Sequence, residues 1–486
     1  MNKPIRTLSL FCGLLFLVLL GNATYLQYFR ADSLDKSSLN RRVIEASFAR
    51  ERGAILVDGE PVARSVKSDD RYKWQRRYPA GALYAHETGW FSYFSQSGIE
   101  HAENSVLSGD DPRLFGARLA DLIGSGQPKG GSVELTLNPA AQKAAYDGLQ
   151  ALGTGIQGSV VALEPATGRI LAMVSLPSYD PNRLASHDLS KVSAADKQLE
   201  GDPAQPKLNR AIRTTLPPGS TFKLVTAAAA IENGLYDEDS QVPAGAGYKL
   251  PESTSIVHNS TGSACNPATI TLKYALEWSC NTAFAAIADK LGNAKMKKMA
   301  ENFGFNDTSL QDLTGQVRSR YPSMNRPQTA LSGFGQADVA ATPLQMAMVA
   351  AGIANHGVLM RPHLVDELRS PDFDSLGKTD SEVYKRAISS AVARQLTDMM
   401  VGVVEEGTAN TAAIPGIRVA GKTGTAQTGR SDISNYAWFT SFAPADDPQV
   451  AVAVMIQNSQ RSNGEISGGG LAGPIAKAVM EAVINK

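Results

Sequence analysis

The stretch Pro217-Pro218-Gly219-Ser220-Thr221-Phe222-Lys223 runs directly into the apolar Leu-Val-Thr-Ala-Ala-Ala-Ala-Ile of residues 224–231. Two prolines, a glycine and a serine ahead of good helix formers predict a helix start with Ser220 at or near its cap. Lys223 breaks the pattern. A capping box places Glu or Gln there, and the helix dipole disfavours a cation in the first turn by ~0.3–1 kcal/mol. On a helix, residues i and i+3 share a face with Cβ atoms about 5–6 Å apart, so the lysine amine reaches the serine hydroxyl. An amine whose pKa is lowered by burial and nearby positive potential can take that proton and make the serine a nucleophile. A capping serine followed by a solvated lysine explains the same residues, because S-x-x-K alone is a weak pattern.

Two further stretches add to it. Ser279-Cys280-Asn281 lies in the helical-looking ALEWSCNTAFAAIA, and Lys422-Thr423-Gly424-Thr425 in the strand-like RVAGKTGTAQT. Along a strand, Lys422 and Gly424 face one side and Thr423 and Thr425 the other, and the glycine permits close approach of backbone or ligand. A cation and hydroxyl donors within one short stretch suit a substrate carboxylate. Ser279 can relay a proton and Asn281 can hold an amide. Taken singly, each has an ordinary reading: a helix cap, a turn residue, a solvated strand end.

The chain has 486 residues, with 47 basic and 47 acidic side chains, 43% hydrophobic and 19% charged. It is long enough for two or three folded domains, and its neutral balance removes any general electrostatic case for nucleic acid. The mostly apolar run from about Leu8 to Tyr28, flanked by Lys3 and Arg6 and ending in Tyr25, Tyr28 and Phe29, matches a transmembrane anchor of roughly 20 residues. A cleaved signal peptide, with Gly21-Asn22-Ala23 as its small-residue site, is the alternative. Under either reading the remainder is exported. There Cys265 and Cys280 can form a disulfide worth ~3 kcal/mol by closing a loop of about 15 residues; two buried thiols are the other reading. The six histidines show no metal-ligand spacing, so neither metal nor cofactor is implied.

Three regions follow: 1–29, tail and anchor; 30–132, a small domain; 133–486, the main domain. In the small domain, RGAILVDGEPVARS predicts a hairpin about Asp58-Gly59. The Gly/Ser/Pro-rich end of DDPRLFGARLADLIGSGQPKGGS predicts the boundary. In the main domain, VELTL followed by a helix from Pro139, the hairpin GSVVALEPATGRILAMVSLP, a mostly helical middle from Ser220 to about Asn355, three C-terminal strands and a closing helix define an α+β class. One antiparallel sheet is built from both ends of the domain and flanked by helices.

The ordered set S-x-x-K, S-x-N and K-T-G, separated by 59 and 143 residues, occurs in penicillin-binding proteins and class A β-lactamases. With GSVVALEPATGRILAMVSLPSYDPN, NRAIRTTLPPGSTFK and LSGFGQADVAATPLQMAMVAAGIANHGVLMRPHLV, the chain resembles a class B penicillin-binding protein over 133–486. YPAGALYAHETGW and GIEHAENSVLSG are similar to parts of that family's pedestal domain, while RGAILVDGEPVARS departs from its usual Asp-Arg-x-Gly hairpin. The short pedestal and the cysteine within S-x-N resemble the actinobacterial penicillin-binding protein A group.

The resemblance implies the penicillin-recognising transpeptidase fold and a serine-type D-Ala-D-Ala transpeptidase, with D,D-carboxypeptidase activity as a side reaction. It places Ser220 as nucleophile, Lys223 as base, Ser279 as proton relay and Asn281 as peptide holder. Lys422, Thr423 and Thr425 would hold the terminal carboxylate, Gly424 would belong to the same substrate-binding stretch, and the backbone N–H groups of Ser220 and Thr425 would form the oxyanion hole. Stem peptides ending in D-Ala-D-Ala are the implied substrate, and β-lactams covalent inhibitors. Partners are a separate polytopic membrane glycosyltransferase and other wall-synthesis or division proteins. The protein would sit in the cytoplasmic membrane as a single-pass chain, N-terminus inside and catalytic domain outside. A β-lactamase-like hydrolase, a non-catalytic division scaffold and a β-lactam sensor are the alternatives. The first lacks a suitably placed E-x-x-x-N deacylating element, and the last lacks a cytoplasmic signalling domain.

Overall fold

The computed structural model describes residues 3–30, 41–114, 129–428, 433–462 and 465–485. Most of the stretch expected to mark the domain boundary, 115–128, lies outside them. The main domain is organised on a five-stranded antiparallel sheet ordered Ala420–Ala426, Tyr436–Ala443, Val450–Asn458, Gln157–Leu163, Ile170–Leu176. Both ends of the domain therefore supply the sheet, as the sequence pattern predicts. Its central strands are near-continuous apolar runs because both faces are covered. The helices Pro139–Gln150 and Gly473–Ile484 pack on each other and on the sheet. Pro343–Ala354, buried at every residue, packs against the strands Gln157–Leu163 and Val450–Asn458. Pro139–Gln150 starts where predicted, with Asn138 Oδ1 accepting from the Ala141 N–H at 3.0 Å and Pro139 at the first helical position.

The middle region is mostly helical, with a nested pair of two-stranded ribbons between the helices Lys223–Glu232 and Leu272–Glu277 and an irregular stretch before Arg326–Ser332. Gln241–Pro243 pairs with Thr269–Thr271, and Gly247–Lys249 with Ile256–His258. Strands of three residues are too short to print an alternating pattern on the sequence.

In the small domain the predicted hairpin forms between Ile55–Val57 and Glu60–Lys67. Asp58 and Gly59 have φ of 52° and 75°, the left-handed pair a two-residue hairpin turn demands. Its sheet is larger than the hairpin: Ser375–Lys378, Val365–Arg369, Ser132–Leu135, Ile55–Val57, Glu60–Lys67, Trp74–Arg77. Strands on both sides of residue 132 share it, so the two regions are joined through a continuous hydrogen-bonded sheet. At the N-terminus, Lys3–Phe29 is long and apolar enough to cross a membrane, and its side chains are exposed.

Candidate active site

The turn that carries Ser220 differs from the predicted cap. Gly219–Phe222 is a 3₁₀ turn that feeds the α-helix Lys223–Glu232, and Ser220 lies inside it, so its hydroxyl caps nothing. In a 3₁₀ turn, residues i and i+3 eclipse, which sets Lys223 beside Ser220: Nζ lies 3.0 Å from Ser220 Oγ. Gly219 adopts φ +54°, and its N–H donates to Gly335 O at 3.1 Å. A Cβ on Gly335 would lie 2.2 Å from Gly219 O, so only glycine lets these two segments meet.

Lys223 is fully buried although it opens a helix. Nζ lies 2.7 Å from Ser279 O, 2.8 Å from Asn281 Oδ1 and 3.0 Å from Ser279 Oγ. Two of these partners are carbonyl oxygens that can only accept. They take two N–H hydrogens, which leaves the third tetrahedral direction facing hydroxyls able to donate. A neutral amine is therefore satisfied here, with its lone pair available to a serine proton. Burial and the nearby Lys422 charge both hold the Lys223 pKa well below that of an ordinary lysine.

Ser279 occupies the left-handed region at φ 56°, which for a non-glycine residue costs about 1–2 kcal/mol. That conformation turns both its carbonyl and its hydroxyl toward Lys223. Cys280, not Ser279, stands at the N-cap position of the helix Asn281–Leu291, and its side chain makes no capping hydrogen bond. Lys422 Nζ, also fully buried, donates to Ser279 Oγ at 2.9 Å and to Thr423 O at 3.0 Å. The result is one chain of contacts: Ser220 Oγ, Lys223 Nζ, Ser279 Oγ, Lys422 Nζ.

Of the Lys-Thr-Gly-Thr residues, Thr423 and Thr425 line the groove above Ser220, whereas Lys422 stands behind it. At Gly424 the close approach read from the sequence is made by the chain itself. The space where its Cβ would sit is bounded by Pro218 O and Thr221 Cγ2, each at 3.0 Å, so the glycine admits the Ser220 turn. The groove, about 560 Å³, is also lined by Ser260, Thr261, Gln336, Thr408 and Ser467, and its described lining contains no Asp, Glu or His. Thr408 Oγ1 is 2.8 Å from Thr423 Oγ1. Sequence reading missed Thr408 and the Gly335 contact. The only signals were glycine-rich or Thr-rich loops, which are common for other reasons.

Cys265 and Cys280 form a disulfide with Cα atoms 5.6 Å apart. It ties the loop bearing Ser260 and Thr261 to the Ser279–Asn281 turn, alongside Asn281 Nδ2 donating to His258 O at 3.1 Å. Reduction should lower stability by ~3 kcal/mol and slow acylation of Ser220. Thermal unfolding and labelled-penicillin kinetics with and without dithiothreitol check this, and an unchanged acylation rate in fully reduced protein would refute the coupling.

Residues 158–481 match the penicillin binding protein transpeptidase domain, and residues 52–133 the penicillin binding protein A dimerisation domain. The chain belongs to the penicillin-binding protein transpeptidase family, class B. It is 44% identical to the peptidoglycan D,D-transpeptidase PbpA of Mycolicibacterium smegmatis over the whole of both chains. It is 42% identical to PbpA of Mycobacterium tuberculosis, covering 100% of this chain and 99% of that one. The solved imipenem acyl-enzyme complex of M. tuberculosis penicillin-binding protein A superposes with TM-score 0.86 at 42% identity, covering 90% of this chain and all of that one.

Proposed function

We propose that this protein is a membrane-anchored peptidoglycan D,D-transpeptidase and a target of β-lactams. The observation that carries the reading is the unbroken Ser220–Lys223–Ser279–Lys422 chain that runs from the groove into the buried wall behind it. Ser220 Oγ attacks the carbonyl carbon of the penultimate D-alanine while its proton passes to Lys223 Nζ. The N–H groups of Ser220 and Thr425 receive the negative charge developing on the carbonyl oxygen, a contribution of about 3–4 kcal/mol per donor in comparable sites. Collapse breaks the C–N bond, and the proton reaches the departing D-alanine amine through Ser279 Oγ. Asn281 orients the peptide. Thr423 and Thr425 hydroxyls hold the terminal carboxylate, with Lys422 supplying positive potential from behind. An acceptor amine then attacks the ester, a new amide forms, and Ser220 regains its proton.

A β-lactam acylates Ser220 in the same way, but its leaving group stays tethered. The described groove residues offer no carboxylate or imidazole to activate water, which argues for a long-lived acyl-enzyme over a β-lactamase. Chasing labelled penicillin tests this. A lifetime of many minutes is expected, and a half-life of seconds would contradict the transpeptidase reading. In this reading Lys3–Phe29 runs outward from the cytoplasm, and a separate polytopic polymerase supplies the glycan strands.

The pH dependence follows from the two lysines. Acylation needs neutral Lys223, so its rate rises with pH on the acid side, and it falls again above about 7 as Lys422 loses the charge that faces the substrate carboxylate. Burial alone brings Lys422 down to about 7, and its charge disfavours protonation of Lys223. Lys422→Met removes that repulsion, Lys223 protonates more readily, and the acid limb moves to higher pH. Acylation rates from pH 5 to 10 read this directly; an acid limb that stays put or moves to lower pH would break the assigned coupling.

A further inference from the structure

Behind the groove lies a second cavity of about 310 Å³, between the helices Leu272–Glu277 and Ser390–Glu405. Glu238, Asp239, Asp398, Glu405 and Glu406 line it around Glu277. Glu277 is only 5% exposed, and its Oε1 has no hydrogen-bond partner. Glu277 lies against a wall formed by two glycines. A Cβ on Gly402 would sit 2.4 Å from Oε1, and one on Gly407 would sit 2.5 Å from Glu277 O. Gly402 is inside a helix, where glycine is otherwise unfavourable.

The charges are also placed against local preference. Glu277 and Glu405 end their helices, where the dipole favours cations. Two basic residues share the lining. Arg418 is engaged by Asp398 and Asp446, while Lys273, one turn before Glu277, makes no ion pair with it within 4.0 Å. Burial and the nearby Glu406 raise the Glu277 pKa, Lys273 opposing them, as for a carboxyl whose counter-charge is insufficient. Among the described residues no group of three or more His, Cys, Asp or Glu is disposed to hold a metal ion.

We propose that this cavity is a binding site for a basic side chain, the guanidinium of Arg or the ammonium of Lys, presented by a partner protein. Glu277 is its buried acceptor, and Glu405 and Glu406 are its rim. A planar guanidinium fits best, because it gives paired N–H donors and is weakly hydrated. The site touches the catalytic groove through the chain itself. Thr408 N donates to Glu277 O at 3.4 Å, and Thr408 Oγ1 contacts Thr423 Oγ1.

The test is fluorescence anisotropy of the full chain in detergent with a fluorescein-labelled Gly-Arg-Gly-Arg-Gly amide, against the same peptide carrying citrulline for arginine. Saturable binding is expected, at least tenfold weaker for the citrulline peptide. Glu277→Gln and the exposed-rim variants Glu405→Gln and Glu406→Gln should each weaken it severalfold, while Asp147→Asn on a distant surface should not. Unchanged penicillin acylation in each variant verifies the fold. Absence of saturable binding, equal binding of citrulline, or indifference to all three glutamate variants would overturn the proposal. Saturable calcium binding that excludes the peptide would overturn it in favour of a metal.

Discussion

Replacing Lys223 with methionine should slow acylation of Ser220 by benzylpenicillin about 100- to 10,000-fold, the range of a positioned general base. Methionine keeps most of the side-chain volume in a fully buried position, so the loss is one of chemistry more than packing. It does leave Ser279 O and Asn281 Oδ1 without their donor, at a cost of about 1–3 kcal/mol for the buried Ser279 carbonyl. Thermal unfolding must therefore be measured in parallel. The variant should still bind penicillin reversibly at Thr423 and Thr425, so the defect should fall on the first-order acylation constant rather than on the dissociation constant. A near-normal acylation constant would remove Lys223 from the mechanism.

The second large effect is at Ser279. Its hydroxyl is the one atom that both lysines contact. Ser279→Ala removes the bridge and keeps the backbone carbonyl that holds Lys223, so the base stays in place while proton delivery fails. Turnover of an amide stem peptide should fall about 100- to 1,000-fold, within the span of a lost acid-base group. A thioester analogue, whose thiolate departs unprotonated, should lose far less. Ser279→Gly separates the backbone from the hydroxyl. Glycine accepts φ 56° without strain, so this variant should be the more stable of the two by up to about 1–2 kcal/mol and equally slow. Equal losses on amide and thioester would refute the relay.

The parts legible in sequence are those set by short-range pattern. S-x-x-K marked a local pair because three residues of helix fix its spacing, and among the three C-terminal strands Val450–Asn458 was visible as a near-continuous apolar run. The Asp58-Gly59 hairpin was visible through its turn chemistry. What escaped depends on long-range encounter. Nothing local to Lys422 says that it meets Ser279, 143 residues earlier, rather than the groove. Ser279 gives no sign of its left-handed backbone, since serine is not the residue that conformation prefers. The Gly335–Gly219 contact is written only as two glycines among the chain's 43. In the small domain, buried Glu100 accepts from Arg52, Arg76 and the Tyr78 hydroxyl, an ion cluster assembled from residues up to 48 apart that no periodicity announces. The cysteine pair was readable as a possibility; that it closes depends on the 5.6 Å approach the fold provides.

The central claim is that Ser220 is the nucleophile of this groove. Trypsin releases it within the peptide Thr214–Lys223, because Arg213 precedes that segment and Lys223 ends it. Mass spectrometry after brief exposure to benzylpenicillin should find one penicilloyl adduct, on this peptide and on Ser220 within it, abolished by Ser220→Ala. An adduct on any other residue, or an undiminished adduct in the Ser220→Ala protein, would contradict the account.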